Sequence, residues 1–131
     1  MTTTAGGVWL GSKLVLTPGA YTTSGGATSG AIDLGDLEGN LAFELNAALA
    51  TAGTTPTLDG KLQHADAEGG SYADTGITFA QVTDAAGGGV QLRILDRSTI
   101  KRWIKYVPTI AGANASFPIA AAVVAIKDWA A

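Results

Sequence analysis

Apolar and polar residues alternate with a period of two along much of the chain. Leu41, Phe43 and Leu45 alternate with Glu44 and Asn46, a pattern typical of a strand with one buried face. Helical spacing would scatter these residues around an axis instead. The alternation predicts eight strands, at Val8–Leu16, Ala31–Leu34, Asn40–Ala47, Thr57–His64, Gly76–Val82, Val90–Leu95, Arg102–Ile110 and Ser116–Ile126.

Residues suited to turns separate these segments at short intervals. Examples are Thr17-Pro18-Gly19, Ser24-Gly25-Gly26 and Ala111-Gly112-Ala113-Asn114, in which glycine and asparagine accept positive φ and proline presets it. Short strands at this spacing, without long amphipathic helices, predict an all-β fold, an eight-stranded antiparallel jelly-roll-like β-sandwich. We expect one domain at residues 8–126, with flexible arms at 1–7 and 127–131.

Two alanine-rich segments leave alternatives open. Residues 45–52 have helical propensity, but the alternation before them favours a strand followed by a loop. Residues 115–126 are apolar on both faces, so this strand is either central in a sheet or covered by another subunit.

Composition narrows the possible functions. Of 131 residues, 58 are Ala, Gly or Thr and only 30 are Val, Ile, Leu or Phe, so the core is modest. The absence of cysteine excludes disulfides and thiolate metal sites. The sequence shows no signal peptide and no apolar run long enough for a membrane helix. The net charge of −3 argues against a nucleic-acid partner.

The charges are strongly segregated along the chain. Residues 33–84 carry nine acids and one cation, whereas residues 93–105 carry five cations and one acid. Such segregation favours oriented docking or head-to-tail association. The alternative is that these residues form solvated strand faces and turns.

Candidate catalytic and metal-binding residues are sparse. His64 is the single histidine, and we expect a half-buried residue at a strand end rather than a base. The acidic segment 66–74 lacks the spacing of a calcium loop and is expected to be a hairpin turn. Paired carboxylates such as Glu38 and Glu44 could meet in space. We predict no cofactor, no metal and no catalytic site.

The segment from Lys101 to Tyr106 interleaves cations with aromatic rings. This pattern could stack nucleic-acid bases, but tryptophan and arginine are also preferred anchors of protein interfaces. We therefore predict a partner or intersubunit interface, with the acidic part of another subunit or of a partner as its complement. The predicted contact residues are Trp9, Arg102, Trp103, Lys105 and Trp129.

Several segments resemble a family found in tailed bacteriophages. The family pattern L-x-V-x-L-Q-x-S-D is similar to Leu58 to Asp66, and its later F-x-x-V-T element matches Phe79 to Thr83. His64 and Ala65 depart from the family residues at their positions, so His64 inherits no role. The remaining matching segments are Ala31 to Gly35, Ser71 to Asp74, Ile100 to Lys105 and Ala115 to Ile119.

The family in question comprises small capsid decoration, or cement, proteins. The resemblance implies a jelly-roll fold and a structural, non-enzymatic role in binding and stabilising the major capsid protein shell. It also implies a homo-oligomer, a dimer or trimer, on the outer surface of a virion and made in the host cytoplasm. The alternatives are a carbohydrate- or receptor-binding β-sandwich module, or a tail or head-fibre component of a virion.

Overall fold

The computed structural model describes residues 8–127, and the side chains of residues 11–125. Nearly all regular structure in this part of the chain is strand, which confirms the predicted all-β class. No helix within it is long and apolar enough to cross a membrane. The elements are β1 (Val8–Tyr21), α1 (Ser24–Ala27), β2 (Ile32–Asp33), a 3-10 turn (Leu34–Asp36), β3 (Asn40–Ala47), β4 (Ala52–Ala65), β5 (Ala73–Thr78), β6 (Gly89–Leu95) and β7 (Trp103–Lys127).

The strands form two antiparallel layers that share β7. The second half of β7 lies between β1 and β3, and β6 pairs with the other side of β3. We call this the β6 layer. The first half of β7 lies between β4 and the short β2, and β5 pairs with the other side of β4. We call this the β4 layer. Each layer thus has four strand positions, and the predicted sandwich is confirmed.

The predicted count of eight strands is wrong by one, because two of the predicted strands are continuous. Gly112 and Asn114 do have positive φ, 99° and 55°, but they bend β7 rather than ending it. On the facing strand Gly53 and Thr55 also have positive φ, 117° and 48°, so irregular backbone on both strands turns the corner together. A Cβ at Gly112 would lie 2.8 Å from the Thr54 carbonyl oxygen.

Other predicted turns are also used inside or between elements. Thr17 to Gly19 lies within β1, where the β1–β7 register shifts between Leu16 and Gly19. The predicted turn at Ser24 becomes the one-turn helix α1, which begins because the Thr23 hydroxyl accepts the Gly26 N–H at 2.9 Å. The predicted turn at Thr17 to Gly19 is therefore wrong, because β1 continues through it, whereas the turn at Ser24 is confirmed in place and is helical in form.

The structure decides between the alternatives given above for the two alanine-rich segments. Residues 48–51 form a loop after β3, which confirms the predicted strand followed by a loop. The doubly apolar segment of β7 is the central strand of the β6 layer, since it pairs with β1 on one side and β3 on the other. Small alanine side chains suit a central strand that packs closely on both neighbours.

Three aromatic rings connect the two layers in the core. Phe43 lies 5.5 Å from Phe79 and 6.0 Å from Tyr106, measured between ring centroids, and Phe79 lies 5.9 Å from Tyr106. Tyr106 is fully buried, and its hydroxyl has no hydrogen-bond partner among the described residues. Burial raises the pKa of Tyr106 well above its ordinary value. A Cβ at Gly60 would lie 2.7 Å from this ring, so glycine is required there.

Candidate functional site: two outer faces of the sandwich

Arg102, one of the predicted contact residues, binds an acid of its own chain. Its Nε lies 2.7 Å from Asp33 Oδ1 and its Nη2 lies 2.8 Å from Asp33 Oδ2, a two-point geometry that strengthens the pair. Arg102, together with the Gly35 N–H, lowers the pKa of Asp33 to about 2, although desolvation opposes the shift. The pair forms because β2 lies beside the start of β7.

Trp103 and Lys105 lie beside this pair, and each takes part in a contact between a cation and a ring. Arg102 Cζ is 5.6 Å from the Trp103 ring centroid, and Lys105 Nζ is 4.3 Å from that of Tyr72. The Tyr72 hydroxyl donates to the Glu68 carbonyl at 2.8 Å. Partial desolvation and the Glu68 charge raise the pKa of Tyr72. A cation of the same chain therefore lies over each ring.

The charge segregation of the sequence is partly neutralised within the fold. Two of the five cations between residues 93 and 105, Lys101 and Arg102, pair with acids, whereas Arg93 and Arg97 donate to backbone carbonyl oxygens. Docking through opposite charges stays a prediction. The ion pairs are Lys13–Asp36 at 2.6 Å, Lys61–Asp74 at 3.0 Å, Lys101–Asp66 at 3.4 Å and Arg102–Asp33 at 2.7 Å.

Three of the five predicted contact residues lie together in the structure. The side chains of the other two, Trp9 and Trp129, lie outside the described part. Arg102, Trp103 and Lys105 lie at the start of β7. The backbone of Trp9 pairs with Ile126, but its side chain lies outside the described part. Trp129 lies outside the described residues altogether. A partner contact at any of the five stays a prediction.

The outer surface of the β6 layer is apolar. Val90, Leu92 and Ile94 along β6 are 57%, 57% and 74% exposed, and Leu14 on β1 is 55% exposed. Between β1 and β6 the side chains are mostly small, which leaves a shallow trough. We call this surface the β6 face. Its described residues are Ser12, Leu14, Ala42, Glu44, Asn46, Val90, Leu92, Ile94, Ala120, Ala122 and Val124.

A single charged side chain interrupts this apolar surface. Glu44 is the one charged residue of the β6 face, and no described residue forms an ion pair or hydrogen bond with its side chain. An apolar surface with an unpaired carboxylate contributes little to the stability of this fold. It is therefore available for contact with another molecule.

The β6 face exists because β6 turns its polar side inward. Gln91 accepts the Ala80 N–H at 2.8 Å and donates to the Ala80 carbonyl at 3.2 Å, while Arg93 donates to the Thr78 carbonyl at 3.0 Å. Arg93 Cζ also lies 5.2 Å from the Phe79 ring centroid. These side chains satisfy backbone groups of the segment after β5. The alternation in the sequence predicted this strand but not its exposed apolar face, for which the polar residues Gln91 and Arg93 were the available signal.

A cavity of about 590 Å³ lies at one end of the β6 face. Its apolar lining includes Ala42, Ile94 and Val124, and Asn40 and Arg97 lie at its margin. The cavity is open to solvent on the outer side of β3 and β6. It offers space for a large apolar side chain.

His64 has a structural role in the described fold. Its Nδ1 accepts the Lys101 N–H at 3.1 Å, and the residue is partly buried at the end of β4. The prediction of a half-buried residue at a strand end is confirmed. The acidic segment after β4 forms the hairpin turn that was expected. Within residues 8–127, no group of three acidic or histidine side chains is arranged to hold a metal ion.

Comparison with known proteins bears on the fold. No family model matches the chain, and no curated protein matches it. Among solved structures it is similar to the CBM22-1 xylan-binding domain from Paenibacillus barcinonensis Xyn10C. The TM-score is 0.50 at 16% identity, over 99% of this chain and 91% of that chain. The β-sandwich architecture is shared. At this identity the likeness concerns the fold alone.

Proposed function

We propose that this chain is a non-catalytic structural protein that docks on a protein shell through its β6 face. The observation that carries the proposal is the exposure of Val90, Leu92 and Ile94 beside a trough of small side chains. Strand spacing and rise give a face of about 450 Å² for four strands of seven residues. A patch of this size is typical of the largest apolar patch on a monomer, which is often functional.

The size of the face suggests the kind of assembly. A stable two-protein interface buries about 800 Å² on each partner, which is more than the β6 face offers. A smaller contact is useful where a shell presents many equal sites and bound copies also touch each other. This is the situation of a capsid decoration protein on the major capsid protein.

The resemblance to phage decoration proteins supports a phage capsid as the shell to which this chain binds. The similar segments fall on β2, β4, the start of β5 and the residues after it, and two parts of β7. Their inward residues include Leu58, Leu62 and Ile104 in the core. These positions specify the fold, and no catalytic role comes with them. We therefore propose a virion decoration protein, with the outer capsid surface as its location.

A binding assay with purified shells tests the proposal. Leu92→Asp places a charge on the β6 face and is expected to weaken shell binding at least about tenfold, because an apolar contact of about 1.5–3 kcal/mol is lost and a charge is desolvated. Thr78→Asp is the matched control, since Thr78 is an exposed residue on the edge strand of the other layer. Equal binding by both variants would refute docking through this face.

Shell stability provides a second readout for the same role. Shells saturated with the wild-type chain should rupture at higher temperature or greater osmotic shock than bare shells. Shells mixed with Leu92→Asp should behave as bare shells do. If the wild-type chain binds shells without changing their rupture, it docks but does not cement them.

Carbohydrate binding is the second candidate, favoured by the fold likeness to a xylan-binding domain. The supporting surface is the outer side of the β4 layer, where Trp103 and Tyr72 are partly exposed. Sugar rings stack on aromatic faces, but Arg102 and Lys105 already lie over these rings. Titration with xylo-oligosaccharides distinguishes the two: Trp103→Ala should abolish binding if this candidate is right, and Leu92→Asp should leave binding unchanged.

A further inference from the structure

Four strands lie at the edges of the two layers in the described part of the chain, and three of them have features that prevent further pairing. β1 contains Pro18 and shifts its register against β7 at three points. β2 has only two residues, and β5 shifts its register against β4 and contains Gly76 with a φ of 90°. Short length, proline and irregular register are means by which edge strands avoid pairing with other chains. The fourth edge strand is β6.

β6 has none of these three features. It pairs with β3 over seven consecutive residues without a register shift, and its sequence from Gly89 to Leu95 contains neither proline nor lysine. An inward charge can also protect an edge, because an added strand would isolate it. The one charged side chain of β6, Arg93, points inward but already donates to the carbonyls of Thr78 and Leu92. A regular and largely apolar edge of this kind is a template for another strand.

The backbone groups on the free side of β6 belong to Val90, Leu92 and Ile94. The Leu92 carbonyl accepts the Arg93 guanidinium at 2.8 Å, and the same guanidinium binds Thr78 in the other layer, which places this carbonyl on the side away from β3. In an antiparallel strand the N–H and C=O of one residue point to the same side, and every second residue repeats that direction. No described residue outside β6 forms a hydrogen bond with these groups on the free side.

We propose that β6 pairs with β6 of a second copy of this chain, antiparallel and about a two-fold axis at Leu92. Leu92 then lies opposite Leu92 of the second copy, and Val90 lies opposite Ile94. The ladder supplies about six hydrogen bonds between the copies. On the inner side Gln91 lies opposite Arg93 of the second copy, so like charges do not face each other across the pair. The strand is complementary to itself, which a two-fold contact requires.

Pairing at this edge enlarges the β6 face without covering it. The two-fold axis is perpendicular to the sheet, so the β6 faces of both copies lie on the same side and form one surface of about 900 Å². This exceeds the roughly 800 Å² that a stable interface buries on each partner, a size that the face of one copy does not reach. The size argument rests on the proposed docking on a shell, whereas the edge pairing itself does not. Because pairing uses backbone groups, the outward side chains Leu92 and Ile94 stay available to the shell.

Amide hydrogen exchange of the full chain, measured by NMR in a concentration series without shells, tests the pairing. The amides of Val90, Leu92 and Ile94 should exchange at least about tenfold more slowly at high concentration than at high dilution. Those of Gln91 and Arg93, which face β3, are the internal control and should stay slow throughout. Fast exchange of the first three amides at every concentration would overturn the proposal.

Two substitutions at Leu92 separate the role of its backbone from that of its side chain. Leu92→Pro removes the N–H on the free side, a change that an edge strand tolerates within its own sheet, and should weaken association in sedimentation experiments at least about tenfold. Leu92→Ala is the matched control, because it shortens the side chain but retains the N–H, and it should weaken association less. Circular dichroism verifies that both variants fold. Equal association of the two variants would overturn the proposed ladder. Should Leu92→Pro not fold, hydrogen exchange of the wild-type chain decides.

Leu14→Asp distinguishes edge pairing from contact between two β6 faces. Leu14 is exposed on β1, at the side of the β6 face remote from β6, so this variant should associate as the wild-type chain does. Loss of association would show that copies meet through their faces and would overturn the proposal. Dimers that do not bind shells would refute the proposed docking alone, whereas monomers that bind shells would refute the proposed pairing alone.

Discussion

The two outer faces of the sandwich differ in how far their side chains are bound to each other. On the β4 layer, Arg102 binds Asp33, Lys61 binds Asp74, and Lys105 lies over an aromatic ring. On the β6 face large apolar side chains are exposed, and the single acid has no described partner. Charged and aromatic side chains of the first face contact each other, whereas the apolar side chains of the second gain free energy when covered.

The origin of this difference is the orientation of one edge strand. β6 directs Gln91 and Arg93 inward, where they bind the backbone of Thr78 and Ala80. Its apolar residues consequently face outward, because successive side chains of a strand point to opposite sides. The apolar outer surface of β6 thus accompanies the hydrogen bonds that its polar side chains make to the backbone of Thr78 and Ala80.

The largest expected effect contrasts the inner and outer sides of the β6 layer. Phe43→Ala should lower the free energy of unfolding by about 3–5 kcal/mol, because it removes the ring that contacts both other core aromatics. Leu92→Ala, on the outer side, should change it by no more than about 0.5 kcal/mol. Urea unfolding measures both. Similar losses would mean that the β6 face is part of the core.

A matched pair of glutamines tests the inward orientation of β6. Gln91→Ala should lower the free energy of unfolding by about 1 kcal/mol, since two of its three hydrogen bonds go to Ala80 backbone groups and the third comes from Arg93. Gln63→Ala removes only an exposed bond to the Asp74 side chain and should cost at most about 0.5 kcal/mol. The reverse order in chemical denaturation would contradict the structural role given to Gln91.

A smaller effect is expected in the core shared by both layers. Tyr106→Phe removes a buried hydroxyl without a partner, so the free energy of unfolding should stay constant or rise by up to about 1 kcal/mol. The control is Tyr21→Phe. Because the Tyr21 hydroxyl donates to the Thr17 carbonyl, the free energy of unfolding of this variant should fall slightly. Calorimetry distinguishes these outcomes. A clear loss for Tyr106→Phe would show that its hydroxyl has a partner in solution.

The smallest effect concerns the ion pair on the β4 layer. The pKa of Asp33 is lowered to about 2, against about 3.9 in unfolded chains, so its contribution to stability is present at neutral pH. That contribution is lost as the pH falls from about 4 to about 2. The difference in urea midpoint between wild type and Asp33→Asn should therefore shrink over this range. A constant difference for Asp33→Asn over this range would contradict the assignment.

Most of the fold could be predicted from local pattern. The predicted bounds of β3, Asn40–Ala47, match the structure, because alternation and burial agree there. The continuous course of β7 could not be predicted, since Gly112 and Asn114 have the chemistry of a turn. Only the equally irregular partner strand, from Gly53 to Thr55, converts that turn into a bend.

The candidate sites, like the fold, could be predicted from the sequence only in part. The cluster of Arg102, Trp103 and Lys105 was predictable because these residues are adjacent in sequence. Their partners Asp33 and Tyr72 were not, because strand pairing brings them from distant segments. The β6 face was also missed, since the direction in which an edge strand turns depends on backbone groups elsewhere.

Side-chain footprinting of the chain bound to purified shells tests the central claim most directly. Hydroxyl radicals label exposed side chains, so the covered surface is identified by reduced labelling relative to the free chain. The account predicts reduced labelling at Leu14, Leu92 and Ile94, with Trp103 and Tyr72 unchanged. Reduced labelling at Trp103 and Tyr72, with Leu92 and Ile94 unchanged, would contradict docking through the β6 face.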